Sequence, residues 1–161
     1  MQLRYWNYMV QLKAWLFYLD RYSAESYRWQ KRVDVFLAIT SSSSIAAWVI
    51  WNKYSFVWAF LIAVSQVVTA IKPHLPFAKR LELLCKASNQ LQVLFNKAEY
   101  NWYKVSNGEL SEDQINDLLF DFKKQYTDTV DKTLDAESLP DKEHLRIVAD
   151  TKTEEFFKDD Y

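Results

Sequence analysis

The sequence predicts an all-α membrane protein: a two-helix transmembrane hairpin, with an N-terminal helix before it and a long cytoplasmic antiparallel helical pair after it. Three observations carry that reading. Gly occurs once and Pro three times in 161 residues, so little interrupts a helix, these two residues being the main local terminators. No charged side chain falls between Val35 and Asn52 or between Tyr54 and Ile71, and Lys53 alone separates the two stretches. Aromatics make up 17% of the chain, seven of them Trp, which suits interfacial surface because an amphipathic ring sits well at headgroup level.

Residues 1–32 form the first element, an amphipathic, juxtamembrane helix. Leu3, Trp6, Val10 and Phe17, with Leu12, Leu16 and Leu19, spread apolar character over a wide arc, and Tyr22, Tyr27 and Trp29 extend it. Such a helix lies in an interface or packs on neighbours. Asp20 and Glu25 suit anionic headgroups poorly, which favours packing. Arg4, Asn7, Gln11 and Lys13 interrupt the apolar residues up to Phe17, unlike the compact core of a cleavable signal.

Residues 33–72 form the hairpin. Each uncharged stretch is about 18 residues, near the lower end of the roughly 17–25 that cross a bilayer as a helix. Flanking cations lengthen each span by snorkelling. Arg28, Lys31 and Arg32 precede the first span, and Lys72, Lys79 and Arg80 follow the second. Cations near span ends favour the cytoplasm, so both termini are expected inside. Trp29 and Lys72 anchor the inner boundary, and Trp48, Trp51, Tyr54 and Trp58 form the outer aromatic belt. Asp34 is expected to meet water or pair with Lys31 or Arg32.

Hydroxyls and an amide sit within the spans: Thr40, Ser41, Ser42, Ser43 and Ser44 on the first, Ser65, Gln66 and Thr69 on the second. Measured from the loop, Thr40 and Ser41 share the depth of Ser65 and Gln66. This belt either packs the helices or lines a wet lumen when several hairpins assemble.

Residues 77–136 form a cytoplasmic helical hairpin. Leu81, Leu84, Ser88, Leu91, Phe95, Ala98, Trp102 and Val105 follow a 3-4 spacing that sets one seam. Asn107-Gly108 ends that helix, Gly tolerating the left-handed cap. Ser111-Glu112-Asp113-Gln114 reads as a capping box before Ile115, Leu119, Phe122, Tyr126, Thr129 and Thr133. Ser88, Thr129 and Thr133 weaken this oligomer or bundle seam and call for a third helix or a second subunit. Residues 137–161 are acidic and partly helical, with Leu145, Ile147, Val148, Phe156 and Phe157 available for docking and a loose end at Asp159-Asp160-Tyr161.

The sequence offers no catalytic constellation, metal site or cofactor motif. His74 and His144 lack partners at ligand spacing, and one glycine cannot make a phosphate-cradling loop. Ser41–Ser44 have no neighbouring His to act as base. The acidic residues beyond Glu109 read as a solvated face. The juxtamembrane cations fit anionic lipid, with no nucleic acid expected. Cys85, the lone cysteine, reads as a small buried hydrophobe.

The order of elements, with the run Arg21-Tyr22-Ser23-Ala24-Glu25-Ser26-Tyr27-Arg28-Trp29-Gln30-Lys31-Arg32 before a Ser/Thr-rich span, resembles the SLATT family of two-helix prokaryotic membrane effectors. The resemblance covers about Asp20 to Lys104. It implies an inner-membrane effector that forms homo-oligomers and permeabilises the membrane in an anti-phage response, triggered by a nucleotide second messenger or a partner defence protein. Two other readings stand beside it: a non-conducting anchor that recruits a cytoplasmic partner through its helical tail, and a soluble helical-bundle interaction protein.

Overall fold

The computed structural model describes residues 1–50, 55–72, 77–134 and 139–159, with backbone alone at 42–50, 55, 58, 77 and 78. Every regular element among them is helical: α1 (Gln2–Ile50), α2 (Ser55–Ile71), α3 (Phe77–Ser106), α4 (Glu112–Leu134) and α5 (Glu143–Asp159). No Gly or Pro falls within Gln2–Ile50. The N-terminal segment and the described part of the first apolar stretch are accordingly one continuous helix.

Two compact units divide the chain. One joins Met1–Ala24 to Glu82–Tyr161, and the other is Glu25–Leu81. The first is a helical bundle of the N-terminal half of α1 with α3, α4 and α5. Its α1 stripe is Tyr5, Met9, Leu12, Leu16 and Leu19, all buried, whereas Leu3 is 71% exposed. The expected apolar arc is therefore rotated, and the reason is tyrosine. A phenol can bury its ring if its hydroxyl finds an acceptor. Tyr5 donates to the Ala98 carbonyl at 2.9 Å and Tyr8 to that of Phe122 at 3.1 Å. Tyr18 donates to the Pro140 carbonyl at 3.4 Å and accepts from the Lys142 N–H at 3.1 Å, tying α1 to the approach to α5.

Leu84, Ala87, Leu91, Leu94, Phe95, Ala98 and Val105 of α3 are buried in this core, as are Ile115, Leu119, Phe122 and Thr133 of α4. Residues of α1 and α5 join those of α3 and α4 in this one core. Cys85 is exposed, against expectation. It follows Leu84 by one residue, about 100° round the helix, which carries it off the seam. On α5 the buried stripe is Leu145, Ala149 and Thr153, with Phe156 and Phe157 packed on the core. Ile147 and Val148 are exposed, which corrects their expected docking role.

The α3–α4 turn is built as its residues imply. Gly108 adopts φ +70°. Its N–H donates to the Val105 carbonyl at 3.2 Å, and the Glu109 N–H to that of Lys104 at 3.0 Å, the paired bonds of a Schellman cap. The Ser111 N–H then donates to Gln114 Oε1 at 2.8 Å, and the Gln114 N–H to Ser111 Oγ at 3.3 Å, a reciprocal capping box.

Candidate functional site

The Glu25–Leu81 unit contains the most unusual surface. From Ser55 to Ile71 α2 carries no charge. Its less exposed positions are Leu61, Val64, Ser65 and Val68, a narrow stripe at helical spacing. The rest of the described helix faces outward: Phe56 is 83% exposed, Phe60 62% and Val67 57%. On α1 the less exposed positions of this unit are Glu25, Ser26, Gln30, Val33, Asp34, Phe36, Leu37 and Thr40, whereas Val35 and Ile39 face outward. A helix that exposes large apolar side chains over most of its circumference ordinarily lies in a protein core or in lipid.

An ion pair fixes the register. Lys72 Nζ lies 2.6 Å from Asp34 Oδ1. Asp34 thus pairs across the hairpin rather than with Lys31 or Arg32, because the antiparallel return of α2 brings Lys72 to its level. Counting six residues from that pair along each helix reaches Thr40 on α1 and Gln66, next to Ser65, on α2. Thr40 and Ser65 are both buried, and Gln66 and Thr69 are exposed.

The hydroxyls of Thr40, Ser41, Ser65 and Thr69 each donate to carbonyls of their own helices. Thr40 Oγ1 donates to the Phe36 and Leu37 carbonyls at 3.0 and 3.1 Å, and Ser41 Oγ to that of Ala38 at 3.0 Å. Ser65 Oγ donates to Ile62 at 2.8 Å and Thr69 Oγ1 to Ser65 at 2.8 Å. Such back-bonding lets a small polar side chain sit in a helix–helix contact without an unmet donor. Side chains of Ser42, Ser43, Ser44, Trp48, Trp51, Tyr54, Trp58 and His74 lie outside the described residues.

Among the described residues no helix is long and apolar enough to cross a membrane. The described α2 has 17 residues, about 26 Å at 1.5 Å per residue, against a hydrocarbon core of about 30 Å.

Arg28, Trp29, Lys31, Arg32 and Lys72, the residues expected at an inner membrane boundary, are all exposed. Arg28, Lys31 and Arg32 line a groove on α1 together with Val35, Phe36 and Ile39. Of the seam residues, Leu84, Leu91, Phe95, Ile115, Leu119 and Phe122 lie inside the bundle, Trp102 and Tyr126 pack against its core, and Leu81 belongs to the other unit. Outward on the bundle stand Val93, Tyr100, Tyr103 and Phe120.

Sequence reasoning missed one cluster. Lys13, only 9% exposed, holds its Nζ 4.0 Å from the Phe156 ring centroid, 4.4 Å from Phe95 and 5.2 Å from Phe17. The only advance signal was Phe17, one turn along α1. The three rings offer their negative faces to the ammonium, which holds α1, α3 and α5 at one point.

Burial pushes the Tyr5 and Tyr8 phenols well above the ordinary 10.0, with neighbouring Tyr8 and Tyr126 respectively adding to it, and burial raises Tyr126 as well. A cleft of about 370 Å³ borders Trp15, Tyr18, Asp141, Arg146 and Asp150, and Arg146 Nη1 is engaged by Asp141 at 2.9 Å. Among the described residues no group of three His, Cys, Asp or Glu could hold a metal ion. No family model, curated protein or solved structure matches the chain.

Proposed function

We propose that Glu25–Leu81 inserts into the bacterial inner membrane as a two-helix hairpin, and that the chain is an effector that assembles there and permeabilises the membrane in an anti-phage response. The observation that supports insertion is α2: it is uncharged along its length and packed through one narrow stripe, and it exposes Phe56, Val57, Phe60, Ile62, Val67 and Ile71, with Gln66 and Thr69 as the polar side chains among them. Water does not tolerate that much contiguous apolar surface, whereas lipid solvates it. The short described length is accommodated by Lys72 snorkelling at the inner end and by local thinning of the bilayer. The bundle is left in the cytoplasm, where a trigger, a nucleotide messenger or a partner defence protein, acts on it. The effector role rests on the resemblance to the SLATT family.

A second reading has an observation of its own. The hydroxyls of Thr40, Ser65 and Thr69 donate to carbonyls of their own helices, which favours helix packing over a wet lumen and hence a non-conducting anchor that presents the bundle to a partner. Alkaline carbonate extraction tests insertion: retention in the membrane pellet supports it, and release sinks both readings. Membrane potential followed by a voltage-sensitive dye during induced expression with the activating system present separates the two. Collapse fits the effector, and a steady potential leaves the anchor.

A further inference from the structure

The α1 face that runs into the first apolar stretch has two ends of opposite character. Arg28, Lys31, Arg32, Val35, Phe36 and Ile39 border one open groove of about 510 Å³. Their 3-4 spacing places all six on one side of the helix. The three cations are exposed, as are Val35 and Ile39. None of the three forms an ion pair among the described residues. The nearby carboxylate, Asp34, is engaged by Lys72 at 2.6 Å. The Trp29 ring lies 5.9 Å from the Arg32 guanidinium carbon.

We infer that this groove binds one anionic phospholipid, its phosphate between Arg28, Lys31 and Arg32 and an acyl chain along Val35, Phe36 and Ile39. This deepens the membrane reading and rests on it. The groove carries charge first and hydrocarbon second, the same order as in a phospholipid. Guanidinium groups bind phosphate oxygens in bidentate fashion, and an ammonium adds a point charge. A second copy of the hairpin is a poor occupant. Between Glu25 and Leu81 the only acidic residues are Glu25 and Asp34, and Asp34 is already paired. A phosphate diester supplies the missing anion and the apolar tail in one molecule.

The experiment uses the purified full chain reconstituted in phosphatidylcholine vesicles, with trace spin-labelled phosphatidylglycerol or phosphatidylcholine. The vesicles are first washed at alkaline pH. Release of the chain at that step overturns the membrane reading itself, whatever the probe does. For retained chain, the motionally restricted fraction should favour phosphatidylglycerol by about fivefold at low salt, the size of one favourable basic contact. It should approach parity in 1 M salt, where the screening length falls to about 3 Å. Arg28→Gln/Lys31→Gln/Arg32→Gln should remove the preference while keeping wild-type helix content and retention. Lys79→Gln, an exposed cation on α3 outside the groove, should leave it intact. Equal restriction of both probes by the wild type overturns the inference, as does an equal loss in the Lys79 variant, which would indicate diffuse attraction without a site.

Discussion

Phe95→Ala probes the joint where α1, α3 and α5 meet. Phe95 is 1% exposed. Its ring centroid lies 6.1 Å from Phe156 and 6.5 Å from Phe157, both edge-on, and the Lys13 ammonium sits 4.4 Å away. Truncating a buried Phe costs about 3–5 kcal/mol in transfer and cavity terms. That is a large share of the roughly 5–15 kcal/mol that holds a typical domain together. Two edge-on ring pairs, each worth about 0.5–1.5 kcal/mol beyond area, place the loss at the upper end. Because those partners are on α5, α5 should loosen first. Amide exchange of the full chain in mild detergent reads this directly. At 1.4 kcal/mol per decade, opening of α5 should rise by roughly two to three and a half powers of ten, and α2 should not change. Phe120→Ala is the control, since Phe120 is 67% exposed and exposed changes usually stay within about 0.5 kcal/mol. Unchanged α5 protection in Phe95→Ala, or an equal effect from Phe120→Ala, would refute the packing account.

Four further outcomes are expected. Gly108→Ala should cost about 1–2 kcal/mol in urea titration, wholly from the φ of +70°, since an added Cβ meets nothing within 4 Å. The folded bundle keeps Tyr5, Tyr8 and Tyr126 neutral past the ordinary phenol value of 10.0. Their contribution is therefore complete below pH 10 and lost as pH rises from there towards the folded values, and Tyr5→Phe should flatten that alkaline decline in thermal melts. Asp34→Lys or Lys72→Asp alone should weaken the hairpin by less than about 1 kcal/mol, both partners being nearly half exposed. The double swap should restore it in a double-mutant thermal-shift cycle. Thr40→Val should preserve hairpin helicity and membrane retention, its hydroxyl serving only its own helix. Thr40→Leu with Ser65→Leu should force α1 and α2 apart and reduce both.

The helices were legible because the chain nearly lacks breakers, and the α3–α4 turn because Gly108 and the Ser111–Gln114 box carry local chemistry. The α3 and α4 stripes were legible because their spacing is strict. What escaped was set by partners distant in sequence. Tyr5 and Met9 belong to the core, and Leu3 does not, because the Ala98 and Phe122 carbonyls await the phenols of Tyr5 and Tyr8. Asp34 pairs with Lys72 rather than with its own helix because the hairpin register outranks sequence proximity. Lys13 looked like an interruption of an apolar arc; its partners Phe95 and Phe156 come from α3 and α5. Cys85 followed a residue-type habit of burial and was displaced by one step round the helix. The hydroxyl belt was visible as composition, but which carbonyls its hydroxyls bond is set by side-chain rotamers that composition does not encode.

The most direct test is a single-cysteine accessibility scan in inside-out membrane vesicles, with Cys85→Ser as background. Cysteines replacing Ile39, Phe60 and Val67 should resist a water-soluble maleimide until detergent is added, whereas those at Asn96 and Asp117 should react at once. Labelling at Phe60 and Val67 as fast as at Asn96 in intact vesicles would contradict membrane insertion.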